Sequence, residues 1–108
     1  VVDPAEVVET TEEIIKPIIS EKENHVFHIY NIRSDKRNKI KNELLKQDIK
    51  TEIHYPVAPH NQIGYKSHIN GIFPISDEIH NTTLSLPIAY FHEERDIVKV
   101  SKAINSIL

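Results

Sequence analysis

Apolar and polar positions alternate in two stretches of this 108-residue chain and recur at helical spacing in others, and that pattern sets the expected frame. Residues 25–33, HVFHIYNIR, are rich in β-branched and aromatic side chains with a period of two. Phe27 and Ile29 fall on one face, and Val26, His28, Tyr30 and Ile32 on the other, which predicts a strand. Ser34 or Asp35 then caps a predicted helix running to about Gln47, where Ile40 and Leu44 stand four apart and Leu45 widens the apolar stripe. Residues 49–55 alternate again, with Ile49, Thr51 and Ile53 against Lys50, Glu52 and His54, and a second strand is expected to end at Pro56. Residues 56–72 hold Pro56, Pro59, Gly64 and Gly71 and read as an ordered loop, with a turn of helix near residues 62–66. Ser76 followed by Asp77 and Glu78 opens a short helix to about Thr83, its acids matching the helix dipole. Leu84-Ser85-Leu86-Pro87 is a short strand that Pro87 places at an edge or at its own end. A last helix over about residues 93–107 spaces Ile97, Val100, Ile104 and Ile107 along one side.

This order, β-α-β-loop-α-β-α, predicts a small two-layer α+β domain with a mainly antiparallel three-stranded sheet covered by helices on one face. The other face is left wanting a partner. Residues 22–108 form the expected domain, and residues 1–21 an acidic lead-in. Asp3-Pro4 has the cap and first-turn proline of a helix start, but Val7, Val8, Thr10 and Thr11 weaken it, so a weak helix and a frayed lead-in fit equally.

Composition narrows the function classes. With 39% hydrophobic and 27% charged residues, the chain is globular rather than disordered in character, and its length suits one core. The absence of cysteine excludes disulfide frameworks, thiolate-bound zinc and thiol nucleophiles, and makes the cytoplasm the natural compartment. No apolar run approaches the roughly 20 residues of a membrane span, and the Val1-Val2 start carries neither a basic signal segment nor an initiator methionine, which reads as a domain fragment. The net charge of −3 argues against an obligate polyanion binder, although residues 33–50 hold seven bases against three acids. A solvated outer helix face accounts for them, and a free-standing interaction or nucleic-acid-binding module using residues 36–46 is the competing reading.

The densest chemistry lies at Ile53-His54-Tyr55-Pro56-Val57-Ala58-Pro59-His60-Asn61-Gln62, where two imidazoles, a phenol and an amide sit between prolines beyond a strand end. Strand ends and their loops are where sites gather, and prolines limit the freedom of such a loop. His54 and His60 also fit as ordinary solvated or capping residues. A zinc site from His54, His60 and His68 is a third reading, with a spacing that matches no closed four-ligand pattern. His25 and His28 stand three apart on a strand and point to opposite faces, so they do not share a metal. Two glycines, Gly64 and Gly71, in no phosphate-loop spacing leave this chain unable to cradle a nucleotide phosphate alone.

Three segments together carry a resemblance: residues 25–33; Lys50-Thr51-Glu52-Ile53-His54-Tyr55-Pro56 with Pro59-His60 and Gln62; and Leu84-Ser85-Leu86-Pro87-Ile88. In order and spacing they resemble the C-terminal small domain of the DegT/DnrJ/EryC1/StrS family of pyridoxal-phosphate-dependent sugar-nucleotide aminotransferases, over about residues 22–108. The resemblance implies a homodimer of fold type I whose missing N-terminal large domain holds the cofactor, with amino transfer, commonly from glutamate, to a nucleotide-linked keto-deoxysugar for surface polysaccharide or glycoside biosynthesis. It further implies that no catalytic lysine is present, since none of the ten lysines sits in the family's cofactor segment. The fragment alone is then expected to be inactive and to bind no cofactor, no metal, no nucleic acid and no membrane. His54 and Tyr55 match family positions near the sugar, and His60 with Gln62 a segment that supports that wall. The wording of residues 52–60 leans toward the branch acting on dTDP-linked 3-keto-6-deoxyhexoses.

Overall fold

The computed structural model describes residues 14–21, 26–89 and 91–107. The expected helix start at Asp3-Pro4 and the imidazole of His25 lie outside them. Two strands, β1 (Tyr30–Arg33) and β2 (Thr83–Leu86), pair antiparallel with Tyr30 opposite Leu86, Asn31 opposite Ser85, Ile32 opposite Leu84 and Arg33 opposite Thr83. Among the described residues three helices accompany them, α1 (Arg37–Lys46), α2 (Pro74–Thr82) and α3 (Glu94–Ile107), with a short 3₁₀ turn at Pro59–Asn61. The α+β character stands, but the sheet among the described residues has two strands, not three.

The second predicted strand shrinks to one bridge, Glu52 to Ser85, whose reciprocal bonds measure 3.2 and 2.7 Å. Its neighbours are bound elsewhere. The Ile49 N–H donates to the Leu44 carbonyl at 2.9 Å, and the Thr51 carbonyl accepts from Lys41 Nζ at 2.7 Å, so α1 holds groups that a ladder would have used. The inside-outside alternation survives without the ladder: Ile49 and Thr51 are buried, Lys50 and Glu52 exposed. On the opposite edge Ile15 bridges to Arg33 through two 2.9 Å bonds. The first strand is also shorter than its pattern, because Phe27 takes φ 48°, outside the extended region.

One face of the β1–β2 pair supplies Tyr30, Ile32, Leu84 and Leu86 to the core, where Ile40 and Leu44 of α1 and Val100, Ala103 and Ile104 of α3 meet them with Ile14 and Ile49. Leu45 is 57% exposed, so the apolar stripe of α1 is narrower than expected. That helix ends on a Schellman motif: the Ile49 N–H bonds the Leu44 carbonyl, the Asp48 N–H bonds the Leu45 carbonyl, and Asp48 adopts φ 59°. Helix α2 begins at Pro74, two residues before the expected cap, because proline suits the first helical position. In α3 the Asp96 carboxylate accepts from the Glu93 N–H at 2.8 Å, one half of a capping box. No helix among the described residues is long and apolar enough to cross a membrane.

Candidate functional site

The face of the sheet turned away from the core is polar. By register, Asn31, Arg33, Thr83 and Ser85 share it. Asn31 Nδ2 donates to Ser85 Oγ at 2.9 Å and to Thr83 Oγ1 at 3.2 Å. Ser85 Oγ in turn meets His54 Nδ1 at 2.8 Å, so the imidazole is drawn onto this face from the segment after the Glu52 bridge. Arg33 is held by Thr82 Oγ1 at 3.3 Å and by Glu78 at 3.5 Å. An open groove of about 680 Å³ is lined by His54, Asn31, Arg33 and Thr83 of this network and by the apolar Ile18, Val26, Ile29 and Ile79. A groove of that size with apolar walls and a few convergent polar groups matches the general form of a small-molecule site.

The loop that follows is fastened to α2. His60 Nε2 lies 2.7 Å from Asp77 Oδ1, Asn61 Nδ2 donates to the same oxygen at 3.0 Å, and the His60 ring packs against Phe73 at 4.8 Å. His80 Nδ1 bonds the Tyr55 carbonyl, and Gln62 Nε2 reaches the Val57 carbonyl at 3.4 Å. Of the four expected site residues, only His54 lines the groove. Tyr55 stands beside it, its ring edge-on to the imidazole at 5.2 Å and its side chain mostly exposed. His60 and Gln62 brace the loop instead, and neither joins His54. Among the described residues no three His, Asp or Glu side chains group to hold a metal ion.

Sequence reasoning passed over Asn31, Ser85, Asp77 and His80. The first two carried a signal: each is a small polar residue inside an apolar strand, one between Tyr30 and Ile32, the other between Leu84 and Leu86. Asp77 fits in sequence as a dipole partner for its helix, and its link to His60, seventeen residues away, has no local signature. The basic face of α1 is partly structural. Arg37 donates to the carbonyls of His80 and Thr83 at 3.2 and 3.0 Å, and Lys41 holds the Thr51 carbonyl.

Among the described residues the groove offers pyridoxal phosphate no helix start to cradle its phosphate. Unpaired backbone N–H groups at a helix start favour a phosphate, and the N-termini of α1, α2 and α3 do not line the groove.

The chain has relatives of known activity. It is 35% identical over 89 residues to the dTDP-3-amino-3,6-dideoxy-alpha-D-galactopyranose transaminase of Aneurinibacillus thermoaerophilus, covering 82% of this chain and 24% of that protein. The crystal structure of S. venezuelae DesV in complex with a ketimine intermediate superposes with a TM-score of 0.80 at 26% identity, over 87% of this chain and 26% of the other. A DegT DnrJ EryC1 StrS aminotransferase from Brucella abortus gives a TM-score of 0.67 at 31% identity, over 72% and 21%. The chain therefore spans about a quarter of the length of the proteins it matches. The sequence pattern of one family covers residues 5–105, nearly the whole chain, and on that match the chain belongs to the DegT/DnrJ/EryC1/StrS aminotransferase family.

Proposed function

We propose that this chain is the C-terminal small domain of a pyridoxal-phosphate-dependent aminotransferase, with residues 1–21 leading into a domain at 22–108. The whole enzyme moves an amino group from glutamate to the carbonyl of a nucleotide-linked keto-deoxysugar. The observation that carries this reading is the fixed imidazole of His54 over an open groove, within a chain that matches a sugar aminotransferase family over residues 5–105. The 35% identical transaminase, whose name places it on a dTDP-linked 3-amino-3,6-dideoxyhexose, favours the 3-keto-6-deoxy branch.

In this account the small domain supplies the sugar wall. His54 and Tyr55 offer ring N–H and phenol groups to sugar oxygens, and His60 and Gln62 keep the loop in place. Pyridoxal phosphate, held by the rest of the polypeptide, supplies the imine and electron-sink chemistry of transamination when bound. A dimeric, cytoplasmic holoenzyme is part of the same proposal, as is an isolated chain without turnover. The competing module built on the basic helix has less support, since Arg37 and Lys41 serve the fold.

The test is product analysis. Full-length protein incubated with glutamate and a dTDP-linked 3-keto-6-deoxyhexose should yield the amino sugar nucleotide and 2-oxoglutarate. An absence of amino sugar across a panel of nucleotide-linked keto sugars overturns the assignment.

A further inference from the structure

The contacts around His54 fix more than its position. Asn31 donates to both hydroxyls within its reach, Ser85 Oγ at 2.9 Å and Thr83 Oγ1 at 3.2 Å. Ser85 therefore accepts from Asn31 and still has its own proton to place. Ser85 is only 5% exposed, so water is not a general outlet for that proton, and the acceptor at hand is His54 Nδ1 at 2.8 Å. A neutral imidazole that accepts at Nδ1 carries its proton on Nε2. Nε2 has no partner among the described residues, and His54 lines the groove.

We propose that Asn31 and Ser85 are positioning residues that lock neutral His54 as the Nε2–H tautomer, so that the groove presents a hydrogen-bond donor to a carbonyl or hydroxyl oxygen of the sugar. The inference rests on the sugar-wall reading for its ligand, whereas the tautomer lock stands on the geometry alone. Its consequence is functional. The neutral imidazole, accepting the Ser85 proton at Nδ1, donates at Nε2, and the charged imidazole, with Ser85 turned to accept from Nδ1–H, donates there as well, so its donor role does not depend on ionisation. Other titratable or charged groups share the surroundings: Lys16 from the lead-in, His28 and Arg33 from the β1 segment, and Glu78 of α2 beside Arg33, with the Tyr55 phenol at the ring edge.

Asn31→Asp reverses the relay with almost no change in shape. A carboxylate accepts only, so Ser85 turns its proton toward residue 31 and accepts from His54 Nδ1–H. Neutral His54 then offers a lone pair to the groove, and only its charged form donates there.

Two readouts on the full-length protein test this. Nitrogen-15 NMR of histidine-labelled protein, with the His54 signal assigned by its loss in His54→Gln, should show the Nε2–H form in the native protein and in Ser85→Thr, and the Nδ1–H form in Asn31→Asp. Mixed tautomers in the native protein, or an unchanged tautomer in Asn31→Asp, overturn the lock. The second readout is the pH profile of kcat/KM with a dTDP-linked 3-keto-6-deoxyhexose. Asn31→Asp should gain an alkaline limb that falls tenfold per pH unit, removed when His54 is also replaced, while the native enzyme lacks it. A simple loss of packing would lower the whole profile instead. If the tautomer reverses and the profile does not change, the donor role toward sugar is overturned and the lock is upheld.

Discussion

At the residue scale the candidate site depends on imidazoles with different duties. His54 faces the groove, whereas His60 and His80 fasten residues 55–61 to α2 through Asp77 and the Tyr55 carbonyl. Asp77 serves two donors, His60 and Asn61, on a carboxylate that is 41% exposed, so solvent screens part of its effect. Removing a shared acceptor of this kind costs about 1–2 kcal/mol locally, since a single net hydrogen bond contributes about 1 kcal/mol. Asp77→Ala should therefore speed amide hydrogen exchange at Asn61 and Tyr65 about tenfold, the equivalent of about 1.4 kcal/mol in an opening equilibrium, while leaving the β1–β2 amides unaffected. Exchange at the native rate would show that the imidazole-carboxylate contact does not hold the loop.

At the element scale, burial was legible from periodicity and pairing was not. Residues 49–52 keep their predicted sidedness, yet form one bridge in place of a strand, because Lys41 and the C-terminus of α1 take the neighbouring backbone groups. A period of two reports which side chains face inward. It does not report what the backbone bonds to. The helices were more legible because their signals are local: α3 was expected at about residues 93–107 and spans Glu94–Ile107. The Schellman end of α1 escaped notice, since Asp48 is neither of the residues usual at that position. A left-handed conformation costs an L-residue roughly 1–2 kcal/mol, and the extra freedom of glycine in the unfolded chain offsets roughly 0.4–1 kcal/mol. Asp48→Gly should then stabilise the chain by about 0.5 kcal/mol, read as a higher urea midpoint at constant slope. A lower midpoint would mean that the Asp48 side chain contributes more than its backbone costs.

At the scale of the whole molecule, α1 and α3 cover one face of the sheet, while the other face opens on a groove of mixed polar and apolar lining to which α2 contributes Ile79. Ile18 and Val26, which line it, are 96% and 89% exposed, an arrangement that suits a surface continued by more polypeptide. The bare face was legible in the order of elements, and the candidate loop in its density of His, Tyr and Pro. The network that orients His54 was not, because Asn31 and Ser85 come together only through strand register, 54 residues apart in sequence. In the proposed function this face forms the sugar-binding half of an aminotransferase site whose cofactor is held elsewhere in the enzyme. Steady-state kinetics of the full-length His54→Ala enzyme test it most directly, with the absorbance of bound pyridoxal phosphate recorded on the same samples. kcat/KM for the keto sugar nucleotide should fall about ten- to a hundredfold, the loss of one or two hydrogen bonds to substrate, with the cofactor spectrum intact. Native kcat/KM in that variant would contradict it.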